Sequence, residues 1–517
     1  MDKLLILDFG GQTTQLIGRR VRDLGVYTEI YPADTEITED LLQGTRGLIL
    51  SGSPFSVNDQ VPPWPHASVF ECGVPVLGIC FGTQILMKHF GGEITSLPTR
   101  EYGRATIRLR SAQAPIFEQV EDGFASWMSH GDSILTLGKG FETIGESENG
   151  IPAVVYNSER NFYGLQFHPE VSHCEYGNQL LENFAVKICG AEKSWNMDRY
   201  IEDTLTALGE RVGRRKVLLL ISGGVDSTVV AGLLLKALPP EHIHLLHIDT
   251  GLMRKNESEE VIRDLEQLGA SHIHFVDASD EFLGQLKGVD DPEKKREIIG
   301  DLFITLMERE LARLDVKDAF LAQGTLYTDL IESGKGVGKN AQVIKSHHNV
   351  RSPLVEKKRA RGLIVEPLER VYKDEVRRIG RRIGISDDVV RRHPFPGPGL
   401  AVRILGEVTP EKCEVLREAD AIYVEELKKR GLYDEIWQAF CVLLPIRSVG
   451  VTGDARHYGY VLALRAVNSS DGMTADVYPF AFEHLQAISS RITNSIKDIG
   501  RVVYDCSSKP PSTIEWE

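Results

Sequence analysis

The sequence is short of cysteine, of positive charge and of long apolar runs, and each shortage closes off a class of function. Seven cysteines are scattered over 517 residues, an odd number with no C-x-x-C pair. That usage excludes a disulfide framework and a paired-cysteine zinc site, and it suits a reducing compartment. Lys and Arg total 59 against 74 Asp and Glu, a net charge of −15. A chain this acidic is not built to wrap nucleic acid or to lie on an anionic membrane, so its anion sites must be local. No stretch approaches the ~20 apolar residues of a membrane span. The N-terminus, Met1-Asp-Lys-Leu-Leu-Ile-Leu-Asp8, enters a strand pattern at once and lacks a signal-peptide cleavage pattern. The expected location is therefore the cytoplasm. With 42% hydrophobic residues and no long polar tract, the chain can bury real cores. Its length suggests about three or four domains.

One stretch organises what is present. Val217–Ile221 is an apolar run suited to a buried parallel strand, and a helical pattern from Val229 to Leu238 is stopped by Pro239-Pro240. Between them lies Ser222-Gly223-Gly224-Val225-Asp226-Ser227-Thr228. Glycines let backbone N–H groups approach an anion, and the following helix adds its positive end. Ser222 and Ser227 can donate to phosphate oxygens. Asp226 would repel a bare phosphate, so a Mg²⁺ between them is the natural arrangement. The loop lacks the Gly-Lys-Ser/Thr ending of a Walker motif, and with it the lysine for a γ-phosphate. It resembles the SGG-x-DS loop of ATP pyrophosphatases, which implies that it grips the β and γ phosphates as departing pyrophosphate.

The N-terminal third alternates strands (Leu4–Leu7, Val26–Tyr31, Gly47–Leu50, Val76–Ile79) with helical patterns, which predicts a doubly wound parallel sheet. Active residues then belong at the carboxyl ends of strands. Gly78-Ile-Cys80-Phe81-Gly82 fits that place as a nucleophile elbow in which cysteine replaces serine. A helix starting there favours the thiolate, which is the attacking species. The N–H of Phe81 is placed for an oxyanion, and Gly52 offers a second donor. A strand ending in Phe167-His168-Pro-Glu170 supplies a base and a carboxylate to orient it. Cys72, Cys174, Cys189 and His173 lack such settings and are read as inert.

Gly-Ile-Cys80-Phe-Gly-Thr-Gln84 together with Phe-His168-Pro-Glu170 resembles the class I glutamine amidotransferases, from Leu4 to about Gly190. The resemblance implies that Cys80 is the nucleophile, His168 the base and Glu170 its orienter, with Gln84 near the glutamine. Ser53 departs from the usual glycine after Gly52, which bears on the shape of the oxyanion loop.

Further along, Asp198–Val212 reads as a helix and Ile243–Ile248 as a strand. The loop Asp249–Arg254 after it is either an ordinary βα connection or, by the pyrophosphatase resemblance, the neighbour of an adenosine. Asn256 and Glu259 look like a capping box. The charged run Asp291–Arg296 is a solvated helix face or, through Arg296, a cation for a nucleotide phosphate. Tyr327–Lys339 is Gly-rich and reads as a mobile lid. Alternating Pro and Gly in His393–Arg403 mark a domain boundary, followed by a helix from Pro410 to Arg430, strands near Gln438–Ile446 and Gly459–Ala466, and a helix from Phe482 to Ile496. The last residues, Lys509-Pro-Pro-Ser-Thr-Ile514-Glu515-Trp-Glu517, carry an apolar Ile-x-Trp and should pack.

The Asp329-x-x-Glu332 lid, the Ile-Lys345-Ser-His-His-Asn segment and this tail resemble the glutamine-hydrolysing GMP synthetase family over almost the whole chain. The resemblance implies three domains: 1–190 a class I glutamine amidotransferase, 191–392 an ATP pyrophosphatase, and 393–517 a C-terminal dimerisation and XMP-binding domain. The implied fold class is α/β, with two doubly wound parallel-sheet domains plus a small C-terminal α+β domain. Asp329, Glu332 and Lys345 are implied as lid residues acting on ATP–Mg²⁺ and substrate. Arg501 and Lys509 are implied as holding the XMP phosphate, and Gln438, Ile514 and Glu515 as contacting the nucleotide. The implied partners are XMP, ATP, glutamine and a second copy of the chain; the implied cofactor is Mg²⁺ with ATP and no other. Two alternatives remain at this point: an NAD synthetase-like amidotransferase using the same ATP loop, and a regulatory nucleotide-binding protein with inactive sites.

Overall fold

The computed structural model describes residues 1–314, 318–330, 353–452, 455–469 and 474–517, and the chain folds into two compact units. The first comprises Met1–Tyr200 and Tyr327–Ser346, the second Ile201–Leu326 and His347–Glu517. Glu332 and Lys345, two of the expected lid residues, lie outside the described residues.

In the first unit, Leu4 to Leu7 are completely buried, as a strand covered on both faces must be. Their strand, Lys3–Asp8, pairs in parallel with Tyr27–Pro32 and with Thr45–Leu50. Parallel pairing continues through Val76–Ile79 to Phe162–Leu165. The sheet does not stop at this doubly wound core. Four antiparallel strands extend it: Pro152–Asn157, Glu142–Ser147, Glu93–Leu109 and Phe124–Thr136. Short connections between sequence neighbours allow antiparallel pairing without crossover helices. The strand expected to end in His168 stops at Leu165, and a bend carries the chain on.

The second unit has a five-stranded parallel sheet in the order His272–Asp277, Ile243–Asp249, Val217–Ile221, Phe320–Ala322, Ile364–Val365. It also has a smaller sheet in which Gln438–Thr452 and Ala455–Asn468 form an antiparallel hairpin, joined by Asp476–Val477 and Ile499–Tyr504. The chain is thus mixed α/β, with parallel sheets and a C-terminal part built on antiparallel strands. One apolar cluster runs from Leu218 and Leu246 through Leu306 to Tyr423, Cys441 and Ile488. The Pro/Gly stretch crosses that cluster, with Leu400 and Ala401 fully buried in it.

Two local expectations fail. Asn256 caps no helix with its side chain; it sits at φ 57°, and Glu257 instead accepts the N–H of Arg254 at 2.9 Å. Asn tolerates left-handed backbone, which is why it occupies that corner. The run Asp291–Arg296 is not a uniformly solvated face. Asp291 caps the helix Pro292–Arg313, and Lys295 is completely buried.

Candidate active sites

The sheet order of the first unit places three strand ends side by side: Thr45–Leu50, Val76–Ile79 and Phe162–Leu165. Their carboxyl ends deliver Gly52, Cys80 and His168 to one place. Cys80 has φ 51° and ψ −104°, a strained corner for a residue with a side chain, and the helix Phe81–His89 begins directly after it. Gly82 permits the turn because a Cβ there would lie 2.3 Å from the Leu50 carbonyl oxygen. Its N–H donates to Ser51 O at 3.1 Å, and the Cys80 N–H donates to Leu165 O at 2.7 Å, so the elbow is tied to both flanking strand ends. A Cβ on Gly52 would stand 3.2 Å from His168 Cε1 and 3.9 Å from Cys80 Cβ, which puts the Gly52 backbone against both groups.

His168 Nδ1 lies 2.7 Å from Glu170 Oε1, and Glu170 is completely buried. Burial opposes the imidazolium, but the Glu170 charge and the hydrogen bonds to Cys80 and Glu170 prevail, holding the His168 pKa well above its ordinary value. Gln84 is buried on the helix that follows Cys80 and donates to Asp132 O at 3.0 Å. Ser53 donates to Phe9 O at 2.8 Å. Among the other cysteines, burial pushes Cys174 up to about 11 and raises Cys72 and Cys189, so all three stay thiols.

In the second unit the loop after Val217–Ile221 folds on itself. Ser222 Oγ and Ser227 Oγ are 3.2 Å apart, and Ser227 and Thr228 both donate to Gly224 O. The helix starts at Val225, earlier than its apolar pattern suggested, so Asp226 to Thr228 lie in its first turn. Gly223 takes φ 81°, which sets the turn before that helix. Sequence reasoning missed the cations here. Lys373, the first residue of the helix Lys373–Arg382, places Nζ 2.6 and 2.7 Å from the two Asp226 oxygens. Arg392 donates to Gly223 O at 3.0 Å. A lysine thus reaches the loop from 147 residues away. No motif around Lys373 announced it.

Asp249 is turned into the protein, accepting from Ser258 Oγ at 2.7 Å and from the Gly251 N–H at 2.8 Å. Asp329 lies on the short helix Tyr327–Leu330, where Tyr327 accepts the N–H of Ile30.

Much of the expected nucleotide set gathers at the tail. Glu515 accepts from Arg403 Nη2 at 2.8 Å, from Arg403 Nε at 3.1 Å and from Gln438 Nε2 at 2.8 Å. Ile514 packs on Phe440, Val442 and Ala463. Arg296 Nη2 donates to Glu517 O at 2.6 Å, and the neighbouring Lys295 holds Glu517 Oε2 at 2.5 Å. Arg403, Arg465 and Lys295 are all fully buried against this segment. Arg403 and Lys295 were not anticipated as the groups that seat it. Arg501 is exposed on the strand Ile499–Tyr504, within 3.5 Å of Ser448 Oγ, and takes no part in that network among the described residues. The Lys509 backbone exchanges two hydrogen bonds with Ala475.

Three family descriptions match the chain in order: glutamine amidotransferase class-I over residues 5–188, asparagine synthase over 206–294, and GMP synthase C terminal domain over 425–516. Curated relatives named GMP synthase (glutamine-hydrolyzing) align from end to end. The Aquifex aeolicus protein is 48% identical over 514 residues, 99% of each chain. The Chlorobium chlorochromatii protein is 48% identical over 522 residues and the whole of both chains. The Symbiobacterium thermophilum protein is 48% identical over 516 residues, 100% of this chain and 99% of its own. The chain belongs to the glutamine-hydrolysing GMP synthase family.

Proposed function

We propose that the chain makes GMP from XMP, with glutamine as nitrogen donor and ATP as activator, at two separate chemical sites. The observation that carries this is the end-to-end likeness to enzymes of one name, in a chain whose Cys80, His168 and Glu170 are intact and adjoining. That set argues against a regulatory protein with inactive sites.

At the first site the Cys80 thiolate attacks the carboxamide carbon of glutamine. The N–H groups of Phe81 and Gly52 receive the oxyanion. His168, held as imidazolium by Glu170, gives its proton to the departing ammonia and leaves a thioester. His168 then takes a proton from water, which attacks the thioester and releases glutamate.

At the second site the loop Ser222–Thr228 receives the β and γ phosphates of ATP. The C2 oxygen of XMP attacks the α phosphorus, and pyrophosphate leaves. That oxygen alone is a poor leaving group; as AMP it departs when ammonia attacks C2. Asp226, a hard oxygen donor whose two oxygens both face Lys373 Nζ, is the residue that would share a Mg²⁺ with the phosphates, and the ion would spread their negative charge when bound. Lys373 joins the loop as a phosphate-side cation. Arg296, Gln438, Arg501, Lys509, Ile514 and Glu515 are proposed for XMP, and Asp329, Glu332 and Lys345 for the lid.

The chain is proposed to form a homodimer through its C-terminal part, where Ile446, Val449, Val451 and Tyr458 leave apolar surface exposed on one hairpin. No helix among the described residues is long and apolar enough to cross a membrane.

The test is product analysis with XMP, Mg·ATP and glutamine. GMP, AMP, pyrophosphate and glutamate should appear in equal amounts. ADP with orthophosphate would overturn the scheme, and turnover of deamido-NAD in place of XMP would favour the NAD synthetase-like alternative.

A further inference from the structure

We propose that Gln166 is a positioning residue for the Cys80 nucleophile, its carboxamide N–H donating to the sulfur and favouring the thiolate. Gln166 is completely buried, and its Nε2 lies 4.0 Å from Cys80 Sγ. Backbone hydrogen bonds fix both partners. The Gln166 N–H donates to Ala153 O at 2.9 Å, while the Cys80 N–H donates to the carbonyl of the adjacent Leu165 at 2.7 Å. The carboxamide oxygen, Oε1, is buried without a hydrogen-bond partner among the described residues. A core position with no polar task would be filled better by an apolar side chain of the same shape, because a buried unpaired oxygen is unfavourable. Here the nitrogen end faces the one nucleophilic atom of the site.

The donor also differs in kind from His168. The imidazolium stabilises the thiolate only while it holds its proton, and that proton passes to ammonia during acylation. A carboxamide stays neutral and keeps its N–H throughout. It would therefore still face the sulfur when the thioester breaks down and the thiolate departs.

The inference rests on Cys80 being the nucleophile, and the experiment separates the two. In the full-length protein, Gln166→Met removes the donor at similar size, and the isosteric Gln166→Glu replaces it with a like charge. The pH dependence of Cys80 alkylation by iodoacetamide is followed on the Cys80 peptide by mass spectrometry, so that the exposed Cys506 does not contribute. The midpoint should rise by about one pH unit in Gln166→Met, the low end for a hydrogen bond to a charged group. It should rise further in Gln166→Glu. The kcat for glutamine hydrolysis should fall about tenfold, with KM changed less than about twofold. An alkylation midpoint within about 0.3 unit of the parent in whichever variant folds would overturn the proposal even if kcat falls, since a packing defect does not retune a thiol. Full glutamine hydrolysis by Cys80→Ala would instead overturn the nucleophile reading itself.

Discussion

Replacing Glu170 by Gln isolates the charge of the carboxylate from its shape. Gln can still accept the His168 Nδ1–H through its carboxamide oxygen, so the ring keeps its orientation. What disappears is a carboxylate partner 2.7 Å from the imidazole, itself completely buried. A hydrogen bond to a charged group is worth about 1.5–3 kcal/mol, or roughly one to two pKa units. His168 now sits well above its ordinary pKa, with burial pulling the other way. Without the charge, burial acts unopposed by Glu170 and the His168 pKa falls. The working pair of thiolate and imidazolium is lost as pH rises through the His168 value, so the alkaline limb of glutamine hydrolysis should move down by about one to two units. At neutral pH kcat should drop about ten- to a hundredfold. The assay is kcat against pH for glutamate release, with ammonia-driven GMP formation as the internal control, since that route bypasses Cys80. A profile superimposable on the parent's would refute the reasoning.

Lys373→Met should lower the rate of pyrophosphate release from ATP by about tenfold or more, because it removes a phosphate-side cation from the loop, while glutamine hydrolysis without nucleotides stays at the parent's rate. Equal pyrophosphate release from both proteins would show that this lysine serves only to hold Asp226. A third prediction concerns stability against pH. His244 Nδ1 and His274 Nε2 are 3.0 Å apart, and the His272 ring stacks on His244 at 5.0 Å. Burial, then the neighbouring His274, Lys216 and His272, lowers His244 to about 4, and burial with His272 and Arg313 lowers His274. A base whose folded pKa is depressed stabilises the fold above its unfolded value of about 6.5 and loses that contribution as pH falls through the window down to the folded value. The unfolding free energy of the parent, from urea denaturation, should therefore fall on acidification from pH 7 to 5 by an amount on the order of 1 kcal/mol after solvent screening, and His244→Phe should flatten the dependence. Parallel curves for the two proteins would count against it.

Legibility followed the range of the interaction. Strands such as Val76–Ile79 and Val217–Ile221 appear at their expected bounds, because five or so consecutive apolar residues between turn formers leave the backbone few alternatives. Gly78-Ile-Cys-Phe-Gly82 announced a tight corner, and Cys80 occupies one. Asn256 misled because a capping pattern concerns side-chain reach, and its backbone turned left-handed. Lys295 misled because a charged run says nothing of which member faces inward. It is buried on the carbonyls of Ala401 and Ile404, more than a hundred residues on. Gln166 looked like one more strand residue until the bend after Leu165 brought its amide to the sulfur.

The sequence by itself singled out the candidates for chemistry: the cysteine on its elbow, the glycine-serine loop before a helix, the acidic tail with its apolar anchor. Those are properties of a few adjacent residues, and backbone geometry and local charge suffice to read them. Only the tertiary structure decided which partners those groups meet. The lysine on Asp226 arrives across 147 residues, the guanidinium on Glu515 across 112, and the ammonium on Glu517 across 222. Such pairings depend on strand order and on how one apolar core closes, and no local spacing encodes either.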